Sequence, residues 1–168
     1  MAITRTPMVD DDGSGTTGTV INNAWKTELY NQIDAALPAA LAPVAHSFNA
    51  ADYSAQSPMT LTVTAGQVST NIYSINGKQV TWAVMLGPGT LGGTASTAVY
   101  IRLPGGLFAT NLGSTEAAVA TCADGAGSHL AQVRIPAGAS QATIYVNSGA
   151  AWTLGSLFLN FTVTFFSA

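Results

Sequence analysis

The sequence predicts a mainly β protein: an antiparallel β-sandwich, jelly-roll-like, with about eight strands, preceded by one N-terminal α-helix and a flexible arm. Three observations carry this. From Met59 onward, apolar residues alternate with Thr, Ser, Asn and Gln at period two. Short segments rich in Gly, Pro, Asn and Ser interrupt that pattern repeatedly. A helical period occurs once, in 19–37.

Residues 1–18, MAITRTPMVDDDGSGTTG, place Asp10, Asp11 and Asp12 before a glycine-rich run and read as an exposed attachment arm. Asp10, Asp12, Ser14 and Gly15 fall on the first, third, fifth and sixth positions of a calcium-loop pattern, but Ile21 stands where the bidentate Glu belongs. The acidic triplet ahead of a helix is explained by the helix dipole. In 19–37, Ile21, Trp25, Leu29, Ile33 and Leu37 recur every four residues and form one apolar stripe. Pro38 ends the run, since it lacks an N–H and drives Leu37 from the α region. A helix of this length, about 27 Å, is marginal alone, so the stripe must rest on something; a copy of itself is the expected partner. Residues 38–58, with Pro38, Pro43 and Pro58 among many alanines, read as a semi-rigid linker anchored by Phe48 and Tyr53.

In 59–168 the strands follow in order: MTLTVTA, then IYSI and KQVTWAVML around Asn76-Gly77, a pair suited to a type I′ turn. Val80, Trp82, Val84 and Leu86 point one way. TASTAVYIRLP, TEAAVATC, HLAQVRI, ATIYVN and SLFLNFTVTFF follow, separated by GPGTLGG, PGG, DGAGS, PAGAS and NSGAA as turns. In the last strand Leu157, Leu159, Phe161, Val163 and Phe165 fill one face, yet Phe158 and Phe166 lie on the other. A strand apolar on both faces is covered on both, which implies a subunit interface.

Charged residues are 8% of the 168 and hydrophobic residues 48%, with mean hydropathy +0.31. From Tyr53 to the end only Lys78, Arg102, Glu116, Asp124 and Arg134 are ionised at neutral pH. Soluble monomers carry more charge than this, so much of the surface is expected to be covered by other chains. A net charge of −3 provides no basic patch for nucleic acid. No run is long and apolar enough to cross a bilayer, and MAITRTPMVDDD lacks the apolar core of a secretory signal, so a cytoplasmic origin is expected. The lone Cys122 reads as a buried small hydrophobe.

Catalytic constellations are weak. His46 lies in the linker and His129 after the GAGS turn, neither within a GxSxG elbow or an HExxH helix. Cys122, Asp124 and His129 sit around one tight turn and read as a hairpin tip. Paired-acid hydrolysis needs two carboxylates about 5 to 9 Å apart, and the β region offers Glu116 and Asp124 only. No enzyme, metal or cofactor is expected. Trp152, in the NSGAAWT loop, and Tyr145 are the aromatics placed to contact a glycan if exposed.

The segment TRTPMVDDDGSGTTGTVINNAWKTELYNQIDAAL resembles the start of virion appendage proteins of tailed bacteriophages, which join an Asp/Gly/Thr arm to a helix opening with an Asn-Asn-Ala-Trp type segment. The remainder resembles tail-fibre, head-fibre and decoration domains in composition and strand rhythm. The resemblance implies a non-enzymatic homotrimer in the virion, attached by its N-terminus to capsid or tail proteins, with the β domain facing outward and able to touch a host surface glycan. The alternative is a carbohydrate-binding module.

Overall fold

Gln79–Gly93 form one long strand, β5, along which the rest of the β unit is laid out. The computed structural model describes residues 26–33, 42–110, 116–147 and 149–168, and at residues 116 and 117 the backbone alone. The chain divides into two units, Met1–Ala42 and Pro43–Ala168.

In the first unit, residues 26–33 are helical (α1), within the predicted 19–37. The Gln32 amide donates to the Glu28 carboxylate at 3.3 Å, one turn away. The helix boundaries, and the arm with Asp10, Asp11 and Asp12, lie outside the described residues.

In the second unit, among the described residues, ten strands form one antiparallel, curled sheet. β10 (Gly155–Phe166) lies against nearly the whole of β5, from Gly155 opposite Leu91 to Phe166 opposite Gln79. Two strands share the other side of β5 in succession. β4 (Val68–Asn76) pairs with its first half and β3 (Met59–Thr62) with its last residues, Met59 opposite Gly93. β1 (Val44–Ala45) flanks β4. Beyond β10 come β7 (Glu116–Asp124), β8 (Gly127–Ile135), β9 (Gln141–Val146), β6 (Ala98–Arg102) and β2 (Tyr53–Ala55). Since β2 pairs with β6 and β3 with β5, the short chain between them ties one end of the sheet back to its middle. The sheet thereby encloses one core, in which Trp82 meets Phe161 edge-on at 5.3 Å beside Ile101, Leu103, Val133 and Ile144.

All eight predicted strands are present, and the alternation sorts them correctly. Val80, Trp82, Val84 and Leu86 are buried, as are Leu157, Leu159, Phe161, Val163 and Phe165. Three expectations change. Residues 43–58 are not a spacer: they contribute β1, β2 and a 3-10 turn, Ala50–Asp52, whose N-cap Asn49 accepts from the Ala51 amide at 3.1 Å. Tyr53 is buried and stacks on Phe48 at 5.8 Å, so apolar burial in this alanine-rich stretch outweighs its prolines.

GPGTLGG is not a turn either, but the second half of β5. Its pairing with β10 slips by one between Leu157 and Leu159, a bulge that places Gly87 and Pro88 opposite Phe158. A proline without an N–H is tolerated at a bulge, where the ladder is already broken, and burial resumes at Gly89 and Leu91. Finally, the β4–β5 hairpin closes with Asn76 opposite Gln79, leaving Gly77-Lys78 as the loop. Only Gly77 has positive φ, +62°, which is the pattern of a type II′ turn and not the type I′ predicted for Asn76-Gly77.

Candidate functional site

The residues singled out in the sequence fall into separate places. Of the helical stripe, Leu29 is half-buried and Ile33 is 36% exposed within the described structure, whereas Ile21, Trp25 and Leu37 lie outside it. Trp152 is not at the surface: it is 1% exposed, its ring 5.8 Å from that of His129. The loop that carries it is drawn inward because its backbone is pinned on both sides, the Trp152 amide donating to the Ser96 carbonyl (2.9 Å) and the Thr153 amide to the Asp124 carboxylate (2.8 Å). Tyr145 is half-buried, with the Arg134 guanidinium 5.6 Å over its ring. The two aromatics do not form a common platform for a sugar.

Cys122, Asp124 and His129 do gather at one hairpin, where Cys122 pairs with His129 and Asp124 with Gly127 across β7 and β8. Asp124 serves the backbone: one oxygen accepts from the Ala126 amide (2.9 Å), the other from Thr153. His129 Nε2 stands 3.7 Å from that second oxygen. The Cys122 thiol donates to the His129 carbonyl, not to its ring, at 3.2 Å. Burial, and then the Asp124 carboxylate, push the thiol up to about 11. It is a thiol at neutral pH and a poor nucleophile.

A second polar cluster was not foreseen. His46 Nε2 lies 3.0 Å from an Asp52 oxygen, Arg102 Nε approaches the other at 3.9 Å, and the Gly105 amide donates to His46 Nδ1 at 3.3 Å. Asp52 is 6% exposed. Beside it, the buried Asn71 amide bridges two aromatics, accepting from Trp82 Nε1 at 2.8 Å and donating to the Tyr53 hydroxyl at 3.1 Å. Burial raises the Tyr53 pKa above its ordinary value, partly opposed by the Asn71 bond. Both ring nitrogens of His46 are engaged, so it has no free lone pair for a substrate. Strand alternation could have flagged Asn71 as a polar residue in a core position; nothing local signalled Asp52.

The broadest feature is the outward face of the sheet. Thr70, Met85, Asn160, Thr121 and Leu130 run in one row across β4, β5, β10, β7 and β8, each opposite the next. Ile72, Ala83 and Thr162 make the row on one side, and Phe158, Ala123 and Ser128 begin the row on the other. Met85, Phe158 and Leu130 are about half exposed and Val119 is 67% exposed. Met85, Leu130 and Phe158 line a shallow groove of about 520 Å³. Along these strands the outward side chains among the described residues are uncharged until Arg134, at the end of β8.

No protein-family model, no curated protein and no solved structure matches the chain.

Proposed function

We propose that this protein is a non-enzymatic structural component of a tailed-phage particle, a homotrimer anchored through its N-terminal arm and displaying the β unit as a jelly-roll-like sandwich. The observation that supports it best is the uncharged outward face of β4, β5, β10, β7 and β8. Five strands at about 4.8 Å and three rows at about 7 Å make a face of roughly 24 by 21 Å. That is on the order of 500 Å² in plan, near the ~600 Å² per partner at the low end of stable interfaces. Within it Met85, Leu130, Phe158 and Val119 are exposed apolar side chains of the kind a protein partner covers. The occupant we assign is a second copy, because an uncharged Thr/Asn/Met/Leu surface complements itself and offers nothing to a strongly charged partner. The resemblance of the N-terminal segment to phage appendage proteins supplies the setting.

The carbohydrate-binding alternative draws no support from Trp152, which is buried. The test is the mass of the full chain in solution together with its presence in particles. The reading expects about three times the 17.1 kDa chain mass, a smaller species for Met85→Glu with Leu130→Glu at unchanged circular dichroism, and cosedimentation with phage particles from the producing cell. A monomer at tens of micromolar that is absent from particles would sink it.

A further inference from the structure

We infer that His46 is a pH-sensitive latch on the turn Pro104–Gly106: neutral, the imidazole holds the Gly105 amide; protonated, it lets that amide go while staying bound to Asp52. The latch rests on which group donates at each ring nitrogen. Gly105 N–H is a donor, so His46 Nδ1 must present its lone pair, and the ring proton then sits on Nε2, facing the Asp52 carboxylate. That is the one neutral tautomer that satisfies both neighbours. A second proton can only go to Nδ1, where it meets an N–H head-on.

The two sides of the ring respond oppositely to that proton. Toward Asp52 the bond becomes a buried charge pair and strengthens. Toward Gly105 an acceptor becomes a donor and the bond is lost. The ring itself is held: the His46 backbone amide donates to the Asn71 carbonyl at 2.8 Å, and Asp52 lies in a capped 3-10 turn. The turn is freer to move, since Gly105 and Gly106 are exposed and have φ of +65° and +70°. Its own ties are the Leu107 amide to the Pro104 carbonyl (3.2 Å) and the Leu103 amide to the Ser140 carbonyl (2.9 Å). The yielding partner is therefore Gly105.

The charged and titratable groups around the imidazole are Asp52 from the 3-10 turn, Arg102 from β6 at 3.9 Å from Asp52, Tyr53 from β2, and Tyr73 from β4. The Tyr73 hydroxyl lies 3.0 Å from where a side chain on Gly105 would begin, so it adjoins the turn. Burial raises the Tyr53 pKa, which keeps that hydroxyl uncharged. The Asp52 carboxylate favours the imidazolium and the Arg102 guanidinium opposes it.

Amide hydrogen exchange of the full chain, corrected for the intrinsic rate at each pH, tests this at single residues. The Gly105 amide is expected to lose at least tenfold of its protection between pH 8 and pH 5. Leu103 and Ala109, whose amides bond to backbone carbonyls, are expected to keep theirs. In His46→Leu, Gly105 should be unprotected throughout and its pH dependence gone. In Asp52→Asn, the loss should move to lower pH. Protection of Gly105 that does not change with pH in the unaltered chain, or that changes equally in His46→Leu, overturns the latch. Equal loss at Leu103 and Ala109 also overturns it, since that is general acid loosening.

Discussion

The ring of Phe158 occupies the space that a side chain on Gly87 would need. A Cβ placed there would clash with the Cδ1 edge of the ring, and Gly87 has φ of +153°, a conformation side chains rarely adopt. The bulge that lets β5 run on past its Gly-Pro pair thus depends on a residue with no side chain facing an aromatic on the outward face.

Gly87→Ala is accordingly expected to destabilise the fold by roughly 2 to 4 kcal/mol, from backbone strain together with displacement of the ring. Gly89→Ala, two residues on, should cost much less, because its Cβ meets Leu61 at 3.4 Å, ordinary contact, and its φ is not positive. Urea midpoints of the two variants check this. Adding Phe158→Ala to Gly87→Ala should recover the steric share and leave the backbone share. Equal midpoints for the two single variants would remove the assigned role of the ring.

The Asn71 bridge carries the next expectation. Asn71→Ala strands the Trp82 indole N–H and the Tyr53 hydroxyl in the core, at a cost of roughly 2 to 4 kcal/mol. Tyr53→Phe removes one end only and should cost about 1 kcal/mol. If the order of the two were reversed, the bridge would not be what orients Trp82.

These two sites mark where sequence reading succeeds and where it stops. Period two located every predicted strand and named the buried faces of β5 and β10, because a side chain's face depends only on its parity along the strand. It did not carry across Gly87-Pro88, since a bulge and a turn use the same residues and only the partner strand distinguishes them. Trp152 was misplaced for a related reason: whether a loop lies inward depends on Asp124, distant in sequence, accepting from Thr153. His46 and Asp52 look like a linker because alanines and prolines dominate 38–58, and Arg102 reaches Asp52 from β6, the strand that β2 pairs with. The outward-facing Phe158, by contrast, was legible from parity alone, and it is 47% exposed.

Cys122 gives a pH dependence with a definite sign. Its pKa in the folded chain, about 11 against the ordinary 9.0, means the folded state keeps a proton that the unfolded state has lost between those values. Stability should therefore be intact below about pH 9 and fall from there toward pH 11. Tyr53, also raised by burial, acts in the same direction above its ordinary 10.0, so Cys122→Ala should remove part of the decline and not all of it. Alkylation offers an independent check. At pH 8 only about one thiol in a thousand is ionised at such a pKa, so iodoacetamide should react far more slowly than with the unfolded chain. Rapid labelling of the folded protein at pH 8 would contradict this.

Asp124 ties the tip of the β7–β8 hairpin to the loop bearing Trp152, and its removal should be read at that tryptophan. Its side chain is 2% exposed and accepts from two amides, Ala126 and Thr153. Asp124→Ala loses both bonds and is expected to cost roughly 1.5 to 3 kcal/mol, while Asp124→Asn, which keeps one acceptor oxygen, should cost less. Gly125 is crowded by the Leu154 carbonyl, so Gly125→Ala pushes the same loop away without touching the carboxylate. Both Asp124→Ala and Gly125→Ala should shift tryptophan emission to the red as Trp152 meets water, and both should speed exchange of the Thr153 amide. If Asp124→Ala instead leaves emission and the urea midpoint unchanged, the inward set of the loop owes nothing to the carboxylate, and the Trp152 amide's bond to Ser96 together with packing on His129 must hold it.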